Sequence, residues 1–172
     1  MSRRRRAEGP ETGAGFKPSR SSAAVAAIRM GLQERLYIGN LDARRDWGHA
    51  RDFVAGMWQI VQQPEPSDYV LATGESHTVR EFVEMAFQHA GIAIEWRGEG
   101  VDEQGLDAET GDVLVEVDPR YFRPTEVPLL EGDAGRARER LGWSHTVSFR
   151  DLVREMVDSD LKTVHEERGR HD

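Results

Sequence analysis

The 172-residue chain contains no cysteine, so disulfides and thiolate metal sites are excluded and nothing points to an oxidising compartment. No apolar run approaches the roughly 20 residues of a membrane span. The basic start Arg3-Arg4-Arg5-Arg6 is not followed by the apolar core of a signal peptide, and a soluble, cytoplasmic chain is expected. Basic residues are in the minority, 23 Lys and Arg against 31 Asp and Glu, giving a net charge of −8. Nucleic acid is therefore not an expected partner, since phosphate contacts need a concentrated basic face. His49 has no second histidine or carboxylate at metal spacing and the other five histidines are scattered, so no metal site is expected. The acidic stretch around Asp102, Glu103, Asp107 and Glu109 lacks the ligand order of a calcium loop and reads as a solvated loop. No Gly-x-x-Gly-x-x-Gly turn is present to carry a backbone against a pyrophosphate, and no internal repeat occurs.

What is there fits one domain. A chain of this length buries about 70% of its unfolded surface, although a 38% hydrophobic and 31% charged composition leaves a thin core. Residues 1–21, with four arginines followed by a glycine-rich stretch, read as a degenerate or disordered tail, 22–163 as the folded domain, and 164–172 as a polar tail. Helical periodicity appears at Ser22–Gln33, with Val25, Ile28 and Leu32 on one face, and at Trp47–Gln62, with Phe53, Val54, Met57, Trp58 and Val61. Pro64 and Pro66 stop the second helix. Thr78 and Glu81 form a capping box ahead of Val79, Phe82, Val83 and Phe87, and Gly91 ends that helix. Two further helices are expected at Asp133–Leu141 and, opened by Ser148 and Asp151, at Ser148–Leu161. Strands are expected at Leu36–Ile38, Tyr69–Ala72, Ile92–Trp96 and Val113–Val117, and Gly98–Gly111 reads as a mobile loop. Trp58, Trp96 and Trp143 fall in apolar patterns and are assigned to the core, while His49 reads as a packed or capping histidine.

Two arginine-rich segments stand out, Arg44-Arg45-Asp46-Trp47-Gly48-His49 and Asp118-Pro119-Arg120-Tyr121-Phe122-Arg123-Pro124-Thr125-Glu126-Val127. A guanidinium keeps its charge and offers a planar fork that meets phosphate oxygens two at a time, so paired arginine loops suit a diphosphate. One Arg-Asp pair alone reads equally well as a surface ion pair worth less than about 1 kcal/mol.

Both segments resemble the carboxy-terminal half of the GDP-mannose 4,6-dehydratase family, in the extended short-chain dehydrogenase/reductase superfamily. Leu36-Tyr37-Ile38-Gly39-Asn40-Leu41-Asp42, Tyr69-Val70-Leu71-Ala72-Thr73-Gly74-Glu75, Thr78-Val79-Arg80-Glu81-Phe82-Val83 and Leu141-Gly142-Trp143 agree in order, from about Ala24 to about Leu161. The resemblance implies a mixed α/β substrate-binding half that lacks most of the NADP-binding Rossmann sheet. It places Arg45 and Arg123 on a nucleotide diphosphate and Glu126 on ribose hydroxyls, for which a carboxylate is a suitable acceptor. Gly39 would let the backbone approach base or ribose, Asn40 would donate an amide or serve as a turn residue, and Glu126 would otherwise pair with Arg123 or Arg120. Where the family carries Arg-Lys near the nucleotide sugar, this chain offers Ser19-Arg20.

The family's chemistry is hydride abstraction by NADP, loss of water and return of the hydride. The superfamily's Tyr-x-x-x-Lys pair is missing here, because Tyr37, Tyr69 and Tyr121 are followed four places on by Leu41, Thr73 and Thr125. No catalytic residue and no cofactor-binding residue is therefore expected in this chain, and NADP is not expected to bind it alone. The implied partners are GDP-mannose or GDP, a Rossmann half or full-length homologue, and a homo-oligomer. Two readings stand: part of a working dehydratase, or a non-catalytic remnant that holds GDP-sugars or pairs with a homologue.

Overall fold

The computed structural model describes residues 18–122 and 129–169. Helix α1 spans Pro18–Arg29, earlier than the periodicity indicated. Proline is suited to a first helical position, where its missing N–H would have had no partner, and the chain leaves the helix at Gly31, whose φ of +71° is the left-handed turn that glycine adopts freely. Leu32 lies beyond that turn and is exposed rather than part of the helix face.

A four-stranded sheet is built from β1 (Leu36–Ile38), β4 (Ile94–Arg97), β5 (Gln104–Asp107) and β6 (Val113–Val117), in the order β1-β6-β5-β4. Strand β1 runs parallel to β6, with Leu36 opposite Val115, and the other pairs are antiparallel. The expected mobile loop at Gly98–Gly111 is thus a 3₁₀ turn at Gly100–Asp102 followed by an inner strand. Its composition concealed that strand. Gly105 is tolerated there because Ile94 and Trp96 on one side and Val115 on the other fill the space a Cβ would take.

Helices α1, α3 (Val79–His89) and α5 (Phe149–Arg168) pack on one another and on this sheet. Phe82, Val83, Phe87, Val115, Val153 and Val157 are fully enclosed. The capping box of α3 forms as the sequence indicates, Glu81 N–H donating to Thr78 Oγ1 and Thr78 N–H to the Glu81 carboxylate. Trp96 is partly buried and its Nε1 donates to Glu84 at 2.6 Å.

A second, smaller group comprises a three-stranded ladder with β2 (Arg44–Arg45) between β3 (His77–Thr78) and β7 (Leu129–Leu130), together with α2 (Ala50–Val61) and α4 (Gly135–Leu141). Ala72, Ala134, Ala137 and Trp143 form its core. Two expectations fail here. Trp58 is not in the core but 66% exposed, because α2 turns only its Asp52 and Gly56 side inward. Tyr69–Ala72 forms no strand, since no neighbouring segment among the described residues pairs with it.

The outer helices α1 and α5 extend beyond residues 22 and 163, to Pro18 and Arg168. Among the described residues no helix is long and apolar enough to cross a membrane, and no cluster of potential ligands could hold a metal ion.

Candidate functional site

The candidate residues sit where strands end. After β1, Gly39 passes so close to Tyr121 that a Cβ there would lie 2.5 Å from the Tyr121 carbonyl oxygen, a distance no side chain tolerates. Glycine is required at this crossing. The Asn40 side-chain oxygen accepts the Asp42 amide at 2.9 Å, closing an Asx turn. Buried Leu41 and Ala43 anchor the loop, and their carbonyls accept the Arg80 and Val79 amides at 2.9 and 3.1 Å.

The facing segment is held just as tightly. At the end of β6, Asp118 N–H donates to the Ile38 carbonyl at 2.8 Å, and the Asp118 carbonyl accepts from Tyr121 and Phe122. Its buried carboxylate takes the Arg120 amide at 2.9 Å and the Arg120 guanidinium at 2.6 to 3.1 Å. These bonds from Arg120 hold the Asp118 carboxyl below its ordinary range against the opposing effect of burial. Arg120 is thereby committed to Asp118. Arg123 and Glu126 lie outside the described residues, as do all of 123–128. The two ends of that span are nevertheless fixed. The chain enters it beside Gly39 and leaves it at β7, where Leu129 pairs with Arg44 and Leu130 with Arg45.

Arg45 is half-buried on β2, and its Nη1 donates to the Arg44 carbonyl at 2.7 Å. Arg44 donates to the Ser76 hydroxyl and carbonyl. Asp46 has a role that sequence reasoning missed. One of its carboxylate oxygens accepts the Thr73 amide at 3.0 Å and the Thr73 hydroxyl at 2.6 Å, and the other accepts the Gly74 amide at 2.9 Å. The residue after Arg45 is thus locked to the Thr73–Gly74 turn, where Arg138 donates to the Thr73 carbonyl. Only the position of Asp46 directly after the arginine hinted at this, because its donors, Thr73 and Gly74, lie far along the chain.

His49 caps α2, accepting the Arg51 amide at Nδ1, 3.0 Å away. In the neutral ring the proton then sits on Nε2, which faces Glu155 at 3.3 Å. The same histidine lines a cavity of about 280 Å³ with Ser19, Ser22, Glu155 and Ser159. Arg20, exposed in the first turn of α1, follows Ser19 directly and so lies near this cavity's edge. Asp52, three residues into the same region, is buried and accepts from the Thr146 amide, the Thr146 hydroxyl and the Val147 amide at 2.7 to 3.1 Å. Burial alone would raise its carboxyl, but these bonds outweigh burial and hold it below its ordinary value.

The described residues do not fit a dinucleotide. The first turns of α2, α3 and α5 are capped by His49, Thr78 and Ser148, and none follows a glycine-rich turn. Among the described residues the candidate site presents a guanidinium on β2 and, after β1, a glycine crossing and a side-chain amide.

The family model for GDP-mannose 4,6 dehydratase matches residues 2–156. A GDP-mannose 4,6-dehydratase of Sinorhizobium fredii (strain HH103) is 59% identical over 154 residues, 90% of this chain and 44% of that protein. A human GDP-mannose 4,6 dehydratase is 50% identical over 157 residues, 91% of this chain and 42% of its own length. The chain thus spans less than half the length of these curated relatives. Among solved structures, RMD from Pseudomonas aeruginosa complexed with NADPH superposes with a TM-score of 0.68 at 18% identity, covering 90% of this chain and 46% of that one. At that identity the likeness shows the fold alone, a mixed α/β arrangement about half the size of the matched chain.

Proposed function

Because this chain belongs to the GDP-mannose 4,6-dehydratase family, we propose that it is the carboxy-terminal, GDP-mannose-holding part of such a dehydratase, serving conversion of GDP-mannose to GDP-4-dehydro-6-deoxy-mannose. The observation that carries this reading is the anchoring of span 123–128 at both ends, beside Gly39 on one side and beside Arg44 and Arg45 on the other. A six-residue link reaches at most about 25 Å, and on this proposal Gly39, Arg45, Arg123 and Glu126 share one ligand region.

In this proposal Arg45 and Arg123 neutralise the diphosphate, Glu126 accepts from the ribose hydroxyls, and Asn40 offers its amide to the base or sugar. Arg20 supplies positive charge at the approach. Asp46 contributes by fixing the backbone that carries Arg45, so that the guanidinium is presented with little further loss of freedom. NADP, when bound to a complete dehydratase, supplies the hydride acceptor and donor. Its binding groups, and the acid and base groups, fall on this proposal to the part of the relatives' length that this chain does not span. The isolated chain is then a binder without turnover.

Calorimetric titration with GDP-mannose and with GDP tests this directly. Saturable binding is expected. Replacing Arg45 and Arg123 together by alanine should weaken it at least about 100-fold, two charge-assisted contacts being worth about 1.5 to 3 kcal/mol each. Absence of heat from a folded chain, or binding that the double substitution leaves intact, rejects the assignment.

A further inference from the structure

Arg80 is the second residue of α3, where a cation opposes the helix dipole and adds nothing to the helix itself. Its side chain instead joins separate parts of the fold. Nη1 and Nη2 donate to the two carboxylate oxygens of Glu103 at 2.5 and 3.0 Å, and the guanidinium lies over the Trp96 ring, 4.8 Å from its centroid. The same Nη2 donates to the Asp42 carboxylate at 3.0 Å. These two carboxylates differ in setting, the Glu103 side chain being 11% exposed and that of Asp42 79%. Glu103 and Trp96 therefore anchor the guanidinium, while an ion pair to so exposed a carboxylate adds little to stability.

What the bond to Asp42 fixes is a position. The Asp42 amide closes the Asx turn of Asn40, and Arg80 grips that turn twice, its own amide donating to the Leu41 carbonyl at 2.9 Å and its Nη2 to the Asp42 side chain. On the opposite side, the Glu103 carbonyl accepts the Val117 amide at 3.4 Å, at the end of β6, and the next residue, Asp118, leads to the Tyr121 crossing. One guanidinium thus ties the turn after β1 to the strand end that faces it.

We propose that Arg80 is a positioning residue for nucleotide binding: anchored on Glu103, it holds Asp42 so that the Asn40 side chain is presented in one place relative to the Asp118–Tyr121 segment. The inference rests on the proposed GDP-mannose reading, in which Asn40 offers its amide to the ligand. Arg80 acts through that turn and not by touching the nucleotide. Lysine cannot replace it, because an ammonium lacks the planar fork that engages Glu103 and Asp42 together.

Calorimetric titration of the full chain with GDP tests the idea through two variants. Arg80→Lys keeps the charge, and Asp42→Ala leaves the Arg80–Glu103 pair intact and should not move the urea midpoint. Each should weaken GDP binding about 3- to 10-fold, the range for freeing one ordered side chain. Charge alone predicts the opposite sign for Asp42→Ala, since removing a carboxylate favours an anionic ligand. Tighter or unchanged binding in that variant overturns the inference. In an Asn40→Ala background both effects should shrink below about 2-fold, as coupled residues require. Effects that persist there at full size mean that Arg80 serves stability alone, which also overturns it.

A second measurement does not depend on the ligand. Backbone ¹⁵N relaxation at Leu41 and Asp42 should give order parameters near about 0.85 in the parent chain, falling toward about 0.6 in Arg80→Lys. Values that stay at the parent's level overturn the inference whether or not GDP binds. A parent chain that binds no GDP while its turn loosens in Arg80→Lys rejects the proposed ligand and leaves the hold on the turn established.

Discussion

The two packed groups of this molecule are stabilised in different ways. Around the four-stranded sheet, Phe82, Phe87 and six valines are fully enclosed, and the cluster holds eighteen buried residues among those described. The group around α2 and α4 buries three alanines and one tryptophan, and polar clamps do much of the rest, with Asp52 gripping Thr146 and Val147 and Asp46 gripping Thr73 and Gly74. Val54, Met57, Trp58 and Val61 of α2 are on the outside. A region that leaves Trp58 and Met57 in water while using alanine inside depends on its polar clamps, whereas the first region is closed by apolar packing.

Removing a large side chain from the closed region should have the greatest effect. Phe82→Ala should cost about 3–5 kcal/mol, read from urea unfolding, because the rigid neighbours around it cannot collapse into the space. A loss under 1 kcal/mol would mean that this region is not the stabilising one. In the clamped region, Asp52→Ala should cost about 2–4 kcal/mol by leaving three donors without their acceptor.

That second effect carries a pH signature absent from the first. The folded Asp52 carboxyl lies below its unfolded value, so its contribution is present above the ordinary carboxyl range and fades as pH falls through the folded value. The penalty of Asp52→Ala should therefore be full at neutral pH and shrink only below about pH 4, while that of Phe82→Ala does not follow this titration. Unfolding curves of both variants from neutral to acid pH decide the point.

Gly39→Ala acts between the two regions. The added methyl meets the Tyr121 carbonyl at 2.5 Å, so the crossing must open, at a cost of about 1–3 kcal/mol. GDP affinity should fall more than stability does, since the displaced turn leads straight into Arg123. Equal affinity in this variant would detach Gly39 from the site. Smallest of all should be Trp58→Gln, within about 0.5 kcal/mol of the parent in the isolated chain. A larger loss would show that the outer face of α2 is already covered in solution.

Much of the closed region was legible because its signals are local. The Thr78–Glu81 box, the apolar run Val113–Val117 and the Ser148 cap each need only neighbours in sequence, and each forms as read. His49 as a cap and Trp143 as core were legible for the same reason. The misreadings have non-local causes. Strand β5 hid behind glycine and acidic residues because its stability comes from being sandwiched between β4 and β6. Trp58 and Tyr69–Ala72 carry the patterns of buried elements, but such patterns do not reveal whether a segment distant in sequence packs on them or pairs with them. At the site, arginines beside strand ends could be picked out by type, whereas the clamp by Asp46 depends on a turn brought in from a distant part of the chain.

The pairing of Leu36 with Val115 also fixes an order of events in folding. Strands β4, β5 and β6 follow one another and can assemble by short connections, but β1 must be joined to β6 across nearly half the chain, and only then does Gly39 meet Tyr121. Closing so long a loop is slow relative to forming adjacent pairs. The candidate site is therefore expected to be among the last parts to form during folding, so that a nucleotide bound there, as proposed, would act mainly by slowing unfolding rather than by hastening folding.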